Sequence, residues 1–184
     1  MLPSRTGKCI ARNQDKLAAA LLGLMQDTDY DAITVSALCR AAGVSRNTFY
    51  RNFSGKGAVL DYAMDDICLQ YQFDEAGYRR AGNSVAHFLE FFRAHPDYFD
   101  AFRKTGMTLF LLRSTSQYAY REARQAAPGV PQDQMYWVSS FLAAGLLNLY
   151  EHWRAEGFQT PAAEIAQAVL AYVPVLKGPG VLRP

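Results

Sequence analysis

The chain has 184 residues, half of them hydrophobic and 20% charged, and 19 basic against 17 acidic side chains leave a formal net charge of +2. That length suits one large domain or a large and a small one, and the composition excludes disorder, a collagen-like repeat and a disulfide scaffold. Cys9, Cys39 and Cys68 are too widely spaced for a zinc knuckle or a CxxC redox pair, and a reducing compartment is the simple expectation. Met1 to Arg5 lacks the apolar run of a signal peptide, so a cytoplasmic location is expected. The uncharged stretch 134–150 has only the short limit of about 17 residues for a membrane span. It also carries Ser139, Ser140 and Asn148, which favours a helix buried in a soluble core over a spanning one.

Taken in order, nearly every segment has helical period and no alternating strand is evident. Leu17, Ala18, Leu21, Leu22 and Met25 mark one face of a helix over 15–25. A short helix is expected over 34–42 and another over 45–52, then a longer one from Ser54 to about Tyr71. The pattern breaks around Gly77 and Gly82, and Asn83-Ser84 offers a cap for a helix over 85–94. Pro96 opens a helix to about Lys104. The next helix, Thr108 to about Ala126, ends at Pro128-Gly129-Val130-Pro131. A long helix over 132–155 stops at Gly157. Thr160 is the expected cap of the last helix, with Pro161 in its first turn and an end before Pro174. That is about nine helices, an all-α chain, with 176–184 as a flexible tail.

The net charge conceals an asymmetry. Residues 1–60 hold eight basic and four acidic side chains, a net +4, and the remainder 11 basic against 13 acidic, a net −2. A basic head on an acidic body is the distribution expected if only the head meets a polyanion. Within that head, Thr34 can cap one helix, Gly43 supplies the positive φ that ends it abruptly, and Ser45 caps the next at once. Leu38, Ala41, Ala42, Val44, Phe49 and Phe53 can form the small core that fixes the two helices at an angle. This is the pattern of a helix-turn-helix, whose second helix enters the DNA major groove with its first residues on base edges. Those residues are Arg46, Asn47 and Thr48, suited respectively to guanine, to adenine and to a base edge or thymine methyl.

Residues 10–60, about a quarter of the chain, resemble the DNA-binding domain of the TetR family of transcriptional regulators. The resemblance is carried by Thr34, Ala41-Ala42-Gly43-Val44-Ser45, Thr48-Phe49-Tyr50, Phe53 and Lys56. It implies phosphate contacts from Thr34, Tyr50 and Lys56 and base reading from Ser45 through Thr48, with Arg51 also among the DNA-binding side chains. Two positions depart from the pattern. Ala37 stands where an acidic residue usually completes the capping box on Thr34, and Gly57 stands where a glutamate commonly follows the lysine. Both touch local helix stability rather than DNA contact.

The resemblance divides the chain into a head over 10–55 and an effector-binding and dimerisation body over 56–175. Residues 143–153, with Gly157 and 160–165, resemble the last two helices of one common body type. The middle of the 132–155 helix is apolar nearly all round, so a second protein surface is needed to bury it, and a homodimer supplies one. Leu142, Leu146, Leu149 and Trp153 are the candidate dimer residues. A small apolar or aromatic effector has candidate contacts in Phe88, Phe92, Phe102, Phe110, Tyr118, Trp137 and Phe141, although aromatics at helical spacing equally make a core. The expected partners are double-stranded operator DNA and a second copy of the chain, with no membrane, metal or cofactor. His87 and His95 are too far apart along a helix to share a metal, and no GxSxG, HExxH or P-loop pattern occurs. The expectation is therefore a regulator rather than an enzyme, and most simply an effector-responsive repressor. The alternative is a regulator whose body binds a protein co-activator. Cys39 is expected to be a packing residue.

Overall fold

The computed structural model describes residues 5–104, 107–126, 129 and 131–172, and its described side chains exclude those of residues 5–11, 104, 118, 121–123, 125–126 and 172. The Tyr118 and Cys9 side chains and the 176–184 tail therefore lie outside the described residues. The fold is all-helical, with no strand among the described residues: α1 (Arg5–Leu24), α2 (Val35–Ala42), α3 (Arg46–Asn52), α4 (Lys56–Phe73), α5 (Glu75–Ala81), α6 (Ser84–Ala94), α7 (Pro96–Lys104), α8 (Thr108–Ala126), α9 (Gln132–Ala155) and α10 (Ala162–Tyr172). A single 3-10 turn, Tyr30–Ala32, precedes α2.

Three boundaries differ from the sequence reading, each for a local reason. The chain forms a helix over Glu75–Ala81 where the glycines suggest a break. Asp74 caps it by accepting the Gly77 N–H at 2.9 Å, and Gly82, at φ 77°, ends it. Glycine at 77 is a requirement of that cap, because a Cβ there would collide with the Asp74 carboxylate. The first helix begins at Arg5, ahead of its apolar face. At the other end α10 begins at Ala162. The carbonyl of Pro161 receives its first helical N–H groups, while the Thr160 carbonyl accepts the Trp153 indole N–H at 2.6 Å.

The chain divides into two compact units, one of residues up to 70 with 95–115, the other of 71–94 with residues from 116 on. In the first, α1 packs on α2, α3 and α7. Leu17, Leu21, Met25, Ile33, Leu38, Phe49, Leu60, Ile67 and Phe102 are essentially solvent-free there. Burying such side chains stabilises by about 1.5–3 kcal/mol each before the entropy cost of ordering them. In the second, α6 packs on α5, α9 and α10. Phe88, Leu89 and Phe92 of α6 are buried, as are Ala143, Leu147, Tyr150 and Trp153 of α9. The Tyr150 hydroxyl donates to the Phe92 carbonyl at 3.2 Å, so this buried polar atom is satisfied.

The α9–α10 corner closes with paired bonds, Phe158 N–H to Trp153 carbonyl at 2.9 Å and Gly157 N–H to Arg154 carbonyl at 3.0 Å. Gly157 and Phe158 both have positive φ, 68° and 59°. A non-glycine residue in that region is strained, and the Phe158 ring offsets the cost by packing edge-on to Trp153 at 4.8 Å.

Candidate nucleic-acid interface

The turn between α2 and α3 is built from local bonds. Thr34, in extended conformation, accepts the Ala37 N–H at 3.1 Å. The end of α2 closes on Gly43, at φ 64°, with Val44 N–H on the Cys39 carbonyl at 3.0 Å and Gly43 N–H on the Arg40 carbonyl at 3.2 Å. Ser45 then accepts the Thr48 N–H at 3.0 Å, and its hydroxyl shares a second bond of 2.9 Å with Thr48 Oγ1. Leu38 and Phe49 are fully buried, and Phe53 is nearly so, packing its ring on Phe49 at 6.3 Å and edge-on to Tyr62 at 5.7 Å. Two helices joined in three residues over this core make a rigid helix-turn-helix.

What the core does not use faces solvent. Thr34, Ser45, Arg46, Asn47, Tyr50 and Arg51 are exposed and Thr48 is half-buried, so the helix-turn-helix presents its polar side on one short stretch. Arg46 reaches back to Ser36 Oγ at 3.4 Å, a long contact that leaves its guanidinium free to rearrange. Tyr50 rests edge-on against Phe49 at 5.2 Å, which steadies its ring while the hydroxyl end stays in solvent. Burial pushes the Cys39 thiol up against the opposing influence of Arg46. A thiol so placed is a poor nucleophile, in keeping with packing.

Lys56 holds an unexpected place. Its ammonium donates to the carbonyls of Tyr30 at 2.5 Å, Ile33 at 3.1 Å and Asp31 at 3.2 Å, and lies 4.3 Å from the centre of the Tyr30 ring. Three N–H donors meet three acceptors, so in this structure the charge is spent on the turn that carries the chain into Thr34. Burial, then Asp31 and Asp61, raise the Tyr30 phenol, which keeps it a neutral ring under the ammonium. No sequence motif signals this clamp, because its acceptors are main-chain atoms 23–26 residues away.

The residues proposed for the body are less gathered. Phe102 and Phe110 stack at 5.5 Å in one compact unit, and Phe88 and Phe92 pack at 4.7 Å in the other. Trp137 and Phe141 are 69% and 64% exposed, and Trp137 borders an open groove of about 610 Å³ with Tyr120, Gln132, Asp133 and Tyr136. Leu142 is 47% exposed, and Leu146 and Leu149 are half-buried. Trp153 is buried within its own chain, under the Arg93 guanidinium at 5.4 Å.

An exposed second helix on a capped helix-turn-helix is the arrangement with which DNA-binding domains enter the major groove. Residues 17–63 match the family described as bacterial regulatory proteins, tetR family. That match covers about a quarter of the chain and shows a tetR-family DNA-binding domain over those residues. The fold of the chain is similar to that of a TetR transcriptional regulator from Streptococcus agalactiae 2603V, with a TM-score of 0.58 at 16% identity over 90% of this chain and 96% of that one. It is also similar to the dihydroxyacetone kinase operon activator DhaS, with a TM-score of 0.56 at 16% identity over 89% of this chain and 95% of that one. No curated protein matches the sequence. Among the described residues no helix is long and apolar enough to cross a membrane.

Proposed function

We propose that the chain acts in the cytoplasm as a homodimeric repressor that holds a pseudo-palindromic operator through two heads and lets go when its body binds a small effector. The observation that carries the dimer is the outer face of α9. Trp137, Val138, Phe141 and Leu142 are each about half exposed or more, and no atom lies near the position a Cβ would take on Gly145. Their spacing of three and four places them on one stripe. A contiguous apolar stripe of this kind marks a protein interface, and the bare backbone at Gly145 permits close approach of a second helix. The twofold axis implied by such an isologous contact suits two heads reading two half-sites. This reading moves Trp137 and Phe141 from the effector group to the dimer face beside Leu142, with Leu146 and Leu149 at its edge. In the head, Ser45 through Thr48 read bases, Thr34 and Tyr50 hold phosphates with Arg51 beside them, and Lys56 sets the turn that positions them.

Binding to DNA upstream of its own gene tests the core of this reading. The expected result is a protected pseudo-palindrome with affinity falling steeply as salt rises. Failure to retard that DNA even at low salt overturns it. The direction of control is read by a reporter placed behind the same DNA. The structural likeness to an operon activator makes activation through a protein partner the contrasting outcome of that assay.

A further inference from the structure

At the end of α4 an open-sided cavity of about 490 Å³ lies against α5 and α6, bordered by Tyr71, Asp74, Glu75, Tyr78, Arg79 and His87 among others. Its volume is that of a small-molecule site, and its polar end is unusually fixed. The Asp74 carboxylate accepts Gly77 N–H through Oδ1 at 2.9 Å, and its Oδ2 lies 3.2 Å from His87 Nε2. The Gly77 N–H, followed by the bond from His87, holds the Asp74 carboxyl below the usual carboxylate range against the opposing effect of burial.

His87 is the buried partner, its side chain only 6% exposed. Tyr71 stacks on the imidazole at 4.5 Å, and Tyr78 and Phe91 meet it edge-on at 5.7 and 6.1 Å. Asp74 occupies Nε2, and the other ring nitrogen, Nδ1, has no hydrogen bond among the described residues. Arg79 at the rim is taken by Glu75 at 3.1 Å, and Arg80 acts on Asp74 only as a charge at a distance.

The cavity therefore presents a carboxylate, an imidazole edge and tyrosine rings, with the rim guanidinium of Arg79 already paired. An anion would be repelled by Asp74. A hydrocarbon would desolvate the carboxylate without replacing its water. An ammonium supplies N–H donors and charge to Asp74 and is attracted to the tyrosine faces, while an aromatic body fills the apolar remainder. We propose that this cavity binds an organic ammonium bearing an aromatic ring, with the nitrogen on Asp74 and the ring beside Tyr71 and Tyr78. Only the consequence of binding for DNA rests on the effector-responsive reading given above.

Calorimetry on the full-length chain with tyramine as probe tests the site. The control is 3-(4-hydroxyphenyl)propionate, which keeps the ring and replaces the ammonium by a carboxylate. Tyramine is expected to bind saturably and raise the melting temperature, and the propionate to do neither. Asp74→Asn is expected to weaken tyramine at least tenfold with unchanged helical circular dichroism, because asparagine caps a helix as well as aspartate does. Tyr78→Leu, at a half-exposed position, is expected to weaken it too, and keeps the question open to test if Asp74→Asn fails to fold. Absence of saturable tyramine binding, equal binding by the folded variants, or equal binding of the propionate overturns the proposal. Operator release is measured separately. Tyramine binding without release keeps the site and removes it as the effector site, whereas release by another compound that Asp74→Asn leaves intact keeps the effector reading and places its site elsewhere.

Discussion

The head and the outer face of α9 are both exposed, yet they are exposed in opposite chemistries. In the head, the caps Thr34 and Ser45 and the clamp on Lys56 fix the backbone through hydrogen bonds, and polar side chains project from it. On α9 the projecting groups include Trp137, Val138, Phe141 and Leu142, whose exposed surface is mostly apolar. A polar surface on a rigid support can bind a polyanion and release it with salt. An apolar stripe in water gains by being covered. The contrast predicts that damage to α9 acts through assembly and damage to the head acts through contacts, and the two can be separated.

The largest effect is expected on α9. Phe141→Glu places a charge in the apolar stripe at a position 64% exposed within its own chain, so the protomer should keep its melting temperature. The pair of chains should separate into monomers on sedimentation, and operator affinity should fall about a hundredfold or more as two-headed binding is lost. A variant that stays dimeric, or a monomer that binds the operator as tightly, breaks the comparison.

Lys56→Met comes next and sharpens the division within the head. Three carbonyls lose a charged donor, and hydrogen bonds to charged groups are worth about 1.5–3 kcal/mol. Partial exposure reduces that figure, so a loss of about 1–2 kcal/mol in chemical denaturation is expected, with weaker DNA binding as its consequence. Tyr50→Phe removes a hydroxyl that no described residue holds, and should weaken DNA binding uniformly across sequences with stability unchanged. If the two variants behave alike, Lys56 is a phosphate contact rather than a clamp.

Asn47→Ala addresses specificity. A bidentate side chain on adenine discriminates by about 1–3 kcal/mol, so the variant should lose preference at one base pair of each half-site while non-specific affinity holds. Selection of binding sites from a random pool reads this directly, and equal loss on every sequence would move base reading away from Asn47.

The head was legible because its signals are local. A cap acts on a residue three positions along, and Gly43 acts at its own φ, so spacing in the sequence is spacing in space. The Lys56 clamp and the Asp74–His87 pair were not legible, since their partners lie 13–26 residues away and one set is main chain. The short helix Glu75–Ala81 was hidden for a related reason. Gly77 reads as a breaker by propensity, yet here it is the residue whose missing side chain admits the capping carboxylate. On α9, hydrophobicity was evident but its direction was not. Trp137 and Trp153 have the same composition signal, and only packing sends one outward and the other under Arg93.

The smallest effect tests how the head's own compact unit is tied together. Tyr62 donates to Asp15 at 2.7 Å between α4 and α1. Tyr98 of α7 is pushed up to about 12, first by burial and then by Asp66. A raised tyrosine means that the folded state holds the neutral phenol where the unfolded chain has begun to ionise. The stabilisation from Tyr98 is therefore complete below about pH 10 and is lost as pH rises toward about 12. Tyr98→Phe should flatten the alkaline fall in stability over that window, leaving stability at neutral pH changed only by the lost hydrogen bond. An unchanged alkaline limb in denaturation at pH 9 through 12 would mean that Tyr98 ionises as freely folded as unfolded. The Asp66 contact would then contribute nothing to the coherence of α4 with α7, and the clamp at Lys56 and the apolar core of Leu17, Leu21 and Phe102 would carry the unit alone.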